Sequence, residues 1–412
     1  MELTSTKYKQ TEVGLIPEDW GIVIFSEIAD KSVKNSITGG PFGSNLKTDD
    51  YTNDGVQIIQ LQNIGDGKFI DNSIVYTSYN KADELKSCNI YPGEIILSKM
   101  GDPVARACIM PQKAKRYLMA SDGIRLVVDE NKFSKLFVFH YINSKYFRNR
   151  AIDISTGSTR QRIGLPDLKS LFFIKPPLTE QKAIATALSD VDSLISSLDK
   201  LIIKKKAIKQ GAMQELLTPP HQGGRRLPGF NGDWTYEPII DFASITTGAS
   251  DTQDRIEDGI YPFFVRSQKV EKINKFSFDG EAILTSGDGV GVGKIFHYIN
   301  GKFDFHQRVY CIHGFRENVD GKYFFNQFSN HFFDRVMSMT AKSSVDSVRR
   351  EMIANMKIYL PPTKKEQTTI TQILSDMDLE IESLENKKAK YQEIKQGMMQ
   401  ELLTGKTRLF WN

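Results

Sequence analysis

The chain has 412 residues, of which 40% are hydrophobic and 25% are charged, and its formal net charge is only +4. This composition is typical of a globular protein of two or three domains, and it restricts any nucleic-acid-binding surface to a local basic patch. The polar N-terminus lacks the apolar core of a secretion signal, and no apolar run is long enough to span a bilayer. The three cysteines, Cys88, Cys108 and Cys311, form no CxxC pair. We therefore expect a cytoplasmic protein without a membrane partner.

The first block of the chain, which ends at about Lys175, predicts a mixed α+β domain. Short runs of β-branched and apolar residues predict strands, and Asp-Gly and Pro-Gly turns separate several of them. The glycine-rich stretch Thr38–Lys47 predicts a loop, and the aromatic stretch Leu136–Tyr146 predicts a helix that packs on the sheet. The predicted strands are Ile22–Phe25, Val56–Gln62, Ile74–Tyr76, Glu94–Leu97 and Ile124–Val128.

A 39-residue segment, Glu180–Thr218, occurs a second time as Glu366–Thr404. The two copies align without a gap and are identical at 21 of 39 positions. A Pro-Pro pair precedes each copy, at Pro176-Pro177 and at Pro361-Pro362, and predicts the start of a helix. An internal repeat of this length determines how the rest of the chain is interpreted.

Both copies carry apolar residues at alternating four- and three-residue spacing, from Ile184 to Ile202 and from Ile370 to Leu384. This spacing is the narrow seam of a coiled coil. The simplest arrangement packs the two seams against each other. The alternative is a long helix inside an ordinary domain, although helices of such domains seldom exceed about 25 residues.

The second block of the chain repeats features of the first. Gly93-Glu94 stands before an apolar run, and Gly280-Glu281 stands before a similar run in the second block. The C-terminal segment Thr404–Leu409 resembles the linker Arg225–Leu227, so the chain ends where a third repeat would begin. These matches predict a circular, pseudo-twofold organisation of repeats.

We therefore expect an α+β protein in which two similar mixed α/β globular domains are separated by two long helices that form an antiparallel coiled coil. The predicted boundaries are 1–175 for the first globular domain, 176–219 for the first helical segment, 220–360 for the second globular domain, and 361–412 for the second helical segment with the C-terminal tail.

The sequence contains no complete catalytic constellation. Gly287–Lys294 resembles a P-loop, but Asp288 stands where the first glycine is required and Ile295 replaces the Ser or Thr that would hold magnesium. HExxH, Gly-x-Ser-x-Gly and paired Cys/His spacings are also missing. We expect no catalytic residue, no metal and no cofactor in this chain.

Basic stretches carry the binding features. Seven cations and two acids lie between Lys145 and Lys175, and within this stretch the polar loop Ser155–Arg162 suits contacts to phosphates and to base edges. The alternative for any one of these residues is a solvated loop. The candidate DNA-binding residues of the first block are Ser44, Lys47, Gln60, Gln62, Asn63, Lys99, Arg106, Thr159, Arg160, Gln161 and Arg162. Those of the second block are Arg266, Gln268, Lys294, Arg308, Lys342, Ser343 and Arg349.

Over essentially its whole length, the chain resembles the specificity subunits of type I restriction–modification enzymes. The residues that carry the resemblance are Gly40–Lys47, Pro177 with Glu180-Gln181, Leu188–Asp192 and Lys209–Leu217, with the second copies Pro362, Glu366-Gln367, Leu374–Asp378 and Lys395–Leu403. The second block lacks a clear counterpart of the Gly40–Lys47 loop, so we expect its recognition surface to differ from the first.

The resemblance implies two target-recognition domains that each read one half of an asymmetric bipartite site in double-stranded DNA. It also implies that the helices set the spacing and dock two methyltransferase subunits, with restriction subunits joining later. AdoMet, ATP and magnesium would then belong to those partners. The candidate docking residues are Glu180, Gln181, Gln214, Glu215, Glu366, Gln367, Gln400 and Glu401. One alternative is a coiled-coil scaffold that joins proteins without reading DNA. Another is a nuclease or methyltransferase in its own right, although the missing catalytic motifs argue against it.

Overall fold

The computed structural model describes residues 7–157, 160–339 and 347–409. The chain divides into two compact units: unit 1 is Met1–Asp199 with Lys387–Asn412, and unit 2 is Lys200–Asn386. This division differs from the four segments predicted from the sequence. Each unit contains one globular part together with a portion of each long helix.

Unit 1 and the first long helix contain these elements in chain order: β1 (Tyr8–Thr11), β2 (Gly14–Pro17), β3 (Gly21–Ile24), β4 (Ile37–Gly39), β5 (Tyr51–Thr52), β6 (Val56–Ile59), β7 (Val75–Thr77), α1 (Tyr79–Glu84), β8 (Asn89–Ile90), β9 (Ile95–Ser98), β10 (Ala107–Ile109), β11 (Tyr117–Met119), β12 (Gly123–Leu126), α2 (Lys135–Ile142), α3 (Lys145–Asp153), α4 (Leu165–Ser170), β13 (Phe172–Lys175) and α5 (Leu178–Leu216). The predicted strands correspond to β3, β6, β7, β9 and β12. The helix predicted at Leu136–Tyr146 is instead two helices, because Ser144 ends one and caps the next by accepting a hydrogen bond from the Phe147 amide.

Unit 2 and the second long helix follow with β14 (Thr235–Pro238), β15 (Ser244–Thr247), β16 (Tyr261–Phe264), β17 (Glu271–Ile273), β18 (Phe278–Ser286), β19 (Phe296–Phe305), β20 (Val309–His313), α6 (Gly321–Ser338), α7 (Arg350–Ala354), β21 (Lys357–Leu360) and α8 (Lys364–Leu402). The mixed α+β class predicted from the sequence is confirmed.

The two units share one sheet topology. In unit 1, four antiparallel strands lie in the order β10-β9-β12-β4, beside a second sheet of order β5-β7-β6-β11-β8. In unit 2, the strands β19-β18-β20-β15 lie in the same order within one six-stranded sheet. This sheet also includes β16, which pairs parallel with β19 just as β6 pairs parallel with β11. In unit 2 the longer strands β18 and β19 therefore form one continuous sheet, whereas the corresponding strands of unit 1 belong to two separate sheets.

Aromatic side chains form the centre of each core. In unit 1, Phe173 on β13 is fully buried among five rings at centroid distances of 4.5–6.4 Å. In unit 2, Phe324, Phe328 and Phe332 are spaced four residues apart, and so they line one face of α6. Burial of such large rings is the main contribution to the stability of each unit.

The long helices pair antiparallel inside each unit. In unit 1, Lys388 Nζ lies 2.5 Å from Asp199, and Lys395 Nζ lies 2.6 Å from Asp192. From the first ion pair to the second, the α8 residue lies seven positions later in the chain and the α5 residue lies seven positions earlier, as antiparallel pairing requires. In unit 2, Lys209 Nζ lies 2.5 Å from Asp378 Oδ1. The predicted coiled-coil pairing is confirmed.

A buried ion-pair cluster joins the end of the chain to the start of α5 in unit 1. Arg408 donates to Glu180 at 2.7 Å through Nε and to Asp19 at 2.6 Å through Nη2. The indole of Trp20 donates to the second oxygen of Glu180 at 2.9 Å. Arg408 and Glu180 expose only 7% and 4% of their side chains, so residues far apart in sequence close the unit.

Unit 2 has a similar but less complete cluster. Arg226 donates to Glu366 at the start of α8 at 2.8 Å. The Glu366 amide donates to Thr363 Oγ1 at 3.2 Å, which is one half of a capping box, while its carboxylate turns toward Arg226. The indole N–H of Trp234 and the second oxygen of Glu366 have no hydrogen-bond partner among the described residues.

Candidate nucleic-acid interface

The strand pairing of unit 1 brings two loops to one edge of the sheet. Gly39, the last residue of β4, lies opposite Ile124, and Ser98, the last residue of β9, lies opposite Gly123. The loop 40–47 after β4 and the loop 99–106 after β9 therefore emerge side by side. We call this end of the sheet, with residues 160–163 described next, the loop edge of unit 1.

The basic segment 160–163 also lies at this edge. Arg162 forms a β-bridge with Met100, and the amide of Ile163 donates to the carbonyl of Lys99 at 2.9 Å. Arg162 forms an ion pair with Asp122, in the turn before β12. Three segments distant in sequence, each carrying predicted DNA-binding residues, are thus brought together.

A cleft of about 710 Å³ opens at the loop edge. Its lining combines amides, guanidiniums and a carboxylate: Leu61, Gln62, Met100, Gly101, Asp102, Arg106, Arg160 and Gln161. Lys99 stands beside it and is half-buried, donating to the carbonyl of Ser121 at 3.0 Å. Burial lowers the pKa of the Lys99 ammonium, with the charge of Arg162 acting in the same direction and that of Asp122 opposing it.

The predicted residues of unit 1 divide into exposed groups and internal braces. Ser44, Lys47, Gln62, Arg160 and Arg162 are exposed, while Gln60 and Gln161 are partly buried. Two predictions need correction. Asn63 is fully buried and donates to two backbone carbonyls of its own loop, and Arg106 donates to the carbonyls of Ile64 and Leu61. Both side chains hold loops in place, and Thr159 lies outside the described residues.

The loop edge of unit 2 has the same construction. Thr247 at the end of β15 lies opposite Tyr310, and Ser286 at the end of β18 lies opposite Val309. The loops 248–254 and 287–295 therefore emerge together. Asp288 forms a β-bridge with Ser347, which matches the Met100–Arg162 bridge of unit 1.

The cations of the unit 2 edge surround one carboxylate. Asp288 lies 2.7 Å from Arg266 Nη1 and 3.7 Å from Arg308 Nη1. Arg308 keeps 65% of its side chain exposed, so most of its donors are open to solvent. Among the other predicted residues, Gln268, Lys294 and Arg349 are exposed, whereas Lys342 and Ser343 lie outside the described residues.

Gly40 of unit 1 has a counterpart in unit 2, Gly248, which was not recognised from the sequence. A Cβ added to Gly40 would lie 1.8 Å from the Ala120 carbonyl oxygen, and a Cβ added to Gly248 would lie 1.9 Å from the Phe305 carbonyl oxygen. Each glycine directly follows the edge strand and leads to a 3-10 turn, at Thr48–Asp50 or at Thr252–Asp254. Unit 2 therefore has a shorter counterpart of the Gly40–Lys47 loop. The signal was a single glycine after a strand.

Half of the predicted docking residues are internal. Glu180 and Glu366 belong to the buried ion-pair clusters described above. Gln181 and Gln367 are each at most 1% exposed and accept a backbone N–H, from Ser134 at 2.9 Å and from Asp320 at 2.8 Å. These four side chains are enclosed, so no partner can contact them. Their internal hydrogen bonds stabilise the units instead. The exposed candidates are Gln214, Glu215, Gln400 and Glu401.

The described residues contain no group of three or more His, Cys, Asp or Glu side chains placed to hold a metal ion. Burial raises the pKa of the Cys108 and Cys311 thiols to about 12, so both are held in the unreactive thiol form. Within the part of the chain that the structure describes, no helix combines the length and the apolarity that a membrane crossing requires.

Comparisons with known proteins identify the repeated domain. The family model of the type I restriction modification DNA specificity domain matches residues 17–207 and again residues 231–396. The chain is 24% identical to the putative type I restriction enzyme MjaX specificity subunit of Methanocaldococcus jannaschii, over 98% of this chain and 97% of that protein. It is 25% identical to the EcoKI specificity subunit of Escherichia coli K12, over 50% of this chain and 45% of that protein.

Two solved structures share the fold. One is the S subunit of a type I restriction–modification system from M. genitalium, with a TM-score of 0.59 and 14% identity over 93% of this chain and 96% of that one. The other was solved in work on complex assembly and conformational transition of the type I R-M system. Its TM-score is 0.56, with 14% identity over 95% of this chain and 99% of that one.

Proposed function

The chain belongs to the family of type I restriction–modification DNA specificity domains, and from its two copies of that domain we propose how it recognises DNA. It is a specificity subunit, and unit 1 reads one half of a bipartite site in double-stranded DNA while unit 2 reads the other. The observation that carries the proposal is the pair of loop edges. Each gathers cations and amides from three separate segments onto one end of an otherwise conventional sheet.

The half-sites differ in sequence, so the target is asymmetric. The unit 1 edge presents Gln62, Gln161 and Arg160 around its cleft, and these side chains suit adenine and guanine edges in the major groove. The unit 2 edge presents Arg308 and Arg266 around Asp288. Because each base pair has its own hydrogen-bond pattern in the major groove, we expect two edges with different donors and acceptors to read different sequences.

The long helices dock two methyltransferase subunits, with restriction subunits joining afterward. Leu201 and Ile208 on the unit 2 part of α5 are exposed and are spaced seven residues apart. Apolar residues at one heptad position form a stripe that a partner helix can cover. Gln214-Glu215 in unit 2 and Gln400-Glu401 in unit 1 are also exposed and are available as polar docking groups.

The chain itself is non-catalytic. AdoMet, ATP and magnesium serve the partner subunits. The system works in the cytoplasm, where the three cysteines, all of them free and buried, remain reduced.

Co-expression with the cognate methyltransferase and mapping of the modified adenines tests the proposal. We expect one asymmetric bipartite sequence, and we expect mobility shifts of that duplex at moderate salt only when this chain is present. A complex that assembles but neither shifts nor modifies DNA would favour the coiled-coil scaffold instead. Modification by the isolated chain with AdoMet would contradict the non-catalytic assignment.

Helix length sets the gap between the half-sites, because α5 and α8 each contribute residues to both units. Insertion of one heptad after Asp199 and one after Asn386 keeps the seam in register and adds about 10 Å to each helix. The modified sites should then show a gap longer by about three base pairs. A control replaces the same heptads without changing the length. An unchanged gap in the lengthened variant would contradict this role.

A further inference from the structure

Each loop edge carries one apolar side chain that no packing requirement explains. Phe42 exposes 83% of its surface in unit 1, and Val290 exposes 97% in unit 2. Exposed apolar residues are common on protein surfaces when scattered singly. These two are distinguished by their positions, because each is at a loop edge and each stands in a glycine-rich stretch, beside Gly43 or between Gly289 and Gly291.

The two units place this side chain on different loops. In unit 1 it is on the loop after β4, while Val104 on the loop after β9 is fully buried. In unit 2 it is on the loop after β18, while Ser250 on the loop after β15 is 3% exposed. The apolar tip is therefore on the first of the two loops in unit 1 and on the second in unit 2, where Val292 of the same loop is buried.

Charge at both edges indicates DNA as the occupant. An added Cβ at Gly39, where the Phe42 loop begins, would lie 2.6 Å from Lys99 Nζ. In unit 2, Asp288 near the Val290 tip is flanked by Arg266 and Arg308. Cations of this kind bind phosphates and position a protein on the duplex, which brings the apolar tips toward the groove.

We propose that Phe42 and Val290 each contact the 5-methyl group of a thymine, one in each half-site. The thymine methyl is the apolar group that the major groove presents, and apolar side chains recognise it. Valine is too short to act as a wedge between base steps, whereas both side chains suit a methyl contact. The inference rests on the proposed function and assigns a base chemistry to each edge.

The test uses the full chain in complex with its methyltransferase and a duplex that carries the mapped site. Each thymine of both half-sites is replaced in turn by deoxyuridine, which lacks only the methyl group. We expect the wild-type complex to lose about fourfold in affinity at one thymine in each half-site, the value of one buried methyl group. Phe42→Ala should remove this sensitivity in one half-site, and Val290→Ala should remove it in the other.

Matched controls are Leu15→Ala and Ile260→Ala, which truncate side chains that are 59% and 75% exposed on β2 and immediately before β16. They should leave every thymine effect unchanged. The inference would be overturned if Phe42→Ala and Val290→Ala kept the full preference for thymine over deoxyuridine. It would also be overturned if these variants lost the same affinity for the thymine and deoxyuridine duplexes, or if they failed to assemble with the methyltransferase while DNA affinity was unchanged. A wild-type complex with no sequence preference would overturn the proposed function itself, and the inference with it.

Discussion

Units 1 and 2 have the same four-strand order and the same loop edge, yet they differ in how completely their ion-pair clusters are satisfied. In unit 1, Arg408 donates to both oxygens of Glu180 and to Asp19, and Trp20 also donates to Glu180 Oε2. In unit 2, Arg226 donates to Glu366 and to the backbone carbonyls of Asn231 and Gly232, and Trp234 has no partner for its indole N–H among the described residues. The comparison teaches that a repeated framework conserves topology while its polar details diverge.

The largest expected effect is on the cluster of unit 1. Arg408→Ala should lower the free energy of unfolding of unit 1 by about 3 kcal/mol, because Glu180 would stay buried without its cation. Arg226→Ala should cost unit 2 less, about 2 kcal/mol, since that cluster already contains unsatisfied polar atoms. Denaturant titration with hydrogen exchange of peptides from each unit measures both values. Arg225→Ala, at an exposed neighbouring position, serves as the control, and equal losses in the two units would contradict the comparison.

A second difference concerns pH. His140 on α2 is 2% exposed, and burial, together with the nearby Lys395, lowers its pKa to about 4 despite Asp192. Counted from the matched starts of α2 and α6 at Ser134 and Asp320, the residue in unit 2 is Asn326, which does not titrate.

The folded unit 1 therefore binds fewer protons than the unfolded chain between pH 6.5 and about 4. Its free energy of unfolding should fall by about 3 kcal/mol as the pH is lowered through this window, and this loss should be absent above it. His140→Asn should flatten the pH profile of unit 1 relative to the wild type, whereas substitution of the exposed His221 should not. Parallel profiles for His140→Asn and the wild type would exclude this histidine as the source.

The shared glycines offer a test of what the two edges have in common. Gly40→Ala and Gly248→Ala should each destabilise their unit by about 2 kcal/mol, because the new Cβ would meet a backbone carbonyl oxygen that cannot move aside. Gly43→Ala, in the same loop as Gly40, meets nothing within 4 Å and should change stability by less than about 0.5 kcal/mol. Thermal unfolding of the three variants measures this. If only one of Gly40 and Gly248 proved sensitive, the proposed equivalence of the loops would be wrong.

The smallest expected effect is on the salt dependence of DNA binding. Arg160→Ala in unit 1 and Arg308→Ala in unit 2 should each reduce the slope of log K against log salt by about one, with a loss of about 1 kcal/mol at moderate salt. Lys31→Ala serves as the control, since this exposed lysine lies near the opposite end of β12. A slope that responds in one unit only would show that the two edges do not contact phosphates alike.

Much of the fold could be predicted because it depends on local patterns. The heptad spacing predicted that the two long helices pair, the Pro-Pro pairs predicted where they begin, and short β-type runs predicted strands such as β9 and β12. The break between α2 and α3 could not be predicted from hydrophobicity, because one serine cap at Ser144 decided it.

The sequence predicted which residue types form the candidate site, but it predicted the role of each residue less well. Arg160, Arg162 and Arg308 are exposed at the loop edges, where the basic runs suggested DNA contacts. Asn63 and Arg106 have the same residue types but act as internal braces. Residue type does not reveal whether a donor faces solvent or a carbonyl, since that depends on the fold of the surrounding loop.

By itself, the sequence determined the repeat, the two long helices and the family, because these depend on spacing and identity along the chain. Which segments of the chain contact each other depends on the tertiary structure. The bridge from Met100 to Arg162, the enclosure of Glu180 by Arg408, and the exposure of Phe42 and Val290 all depend on contacts between residues far apart in sequence. Pairing of strands and closure of buried charges are non-local, so local patterns carry no record of them.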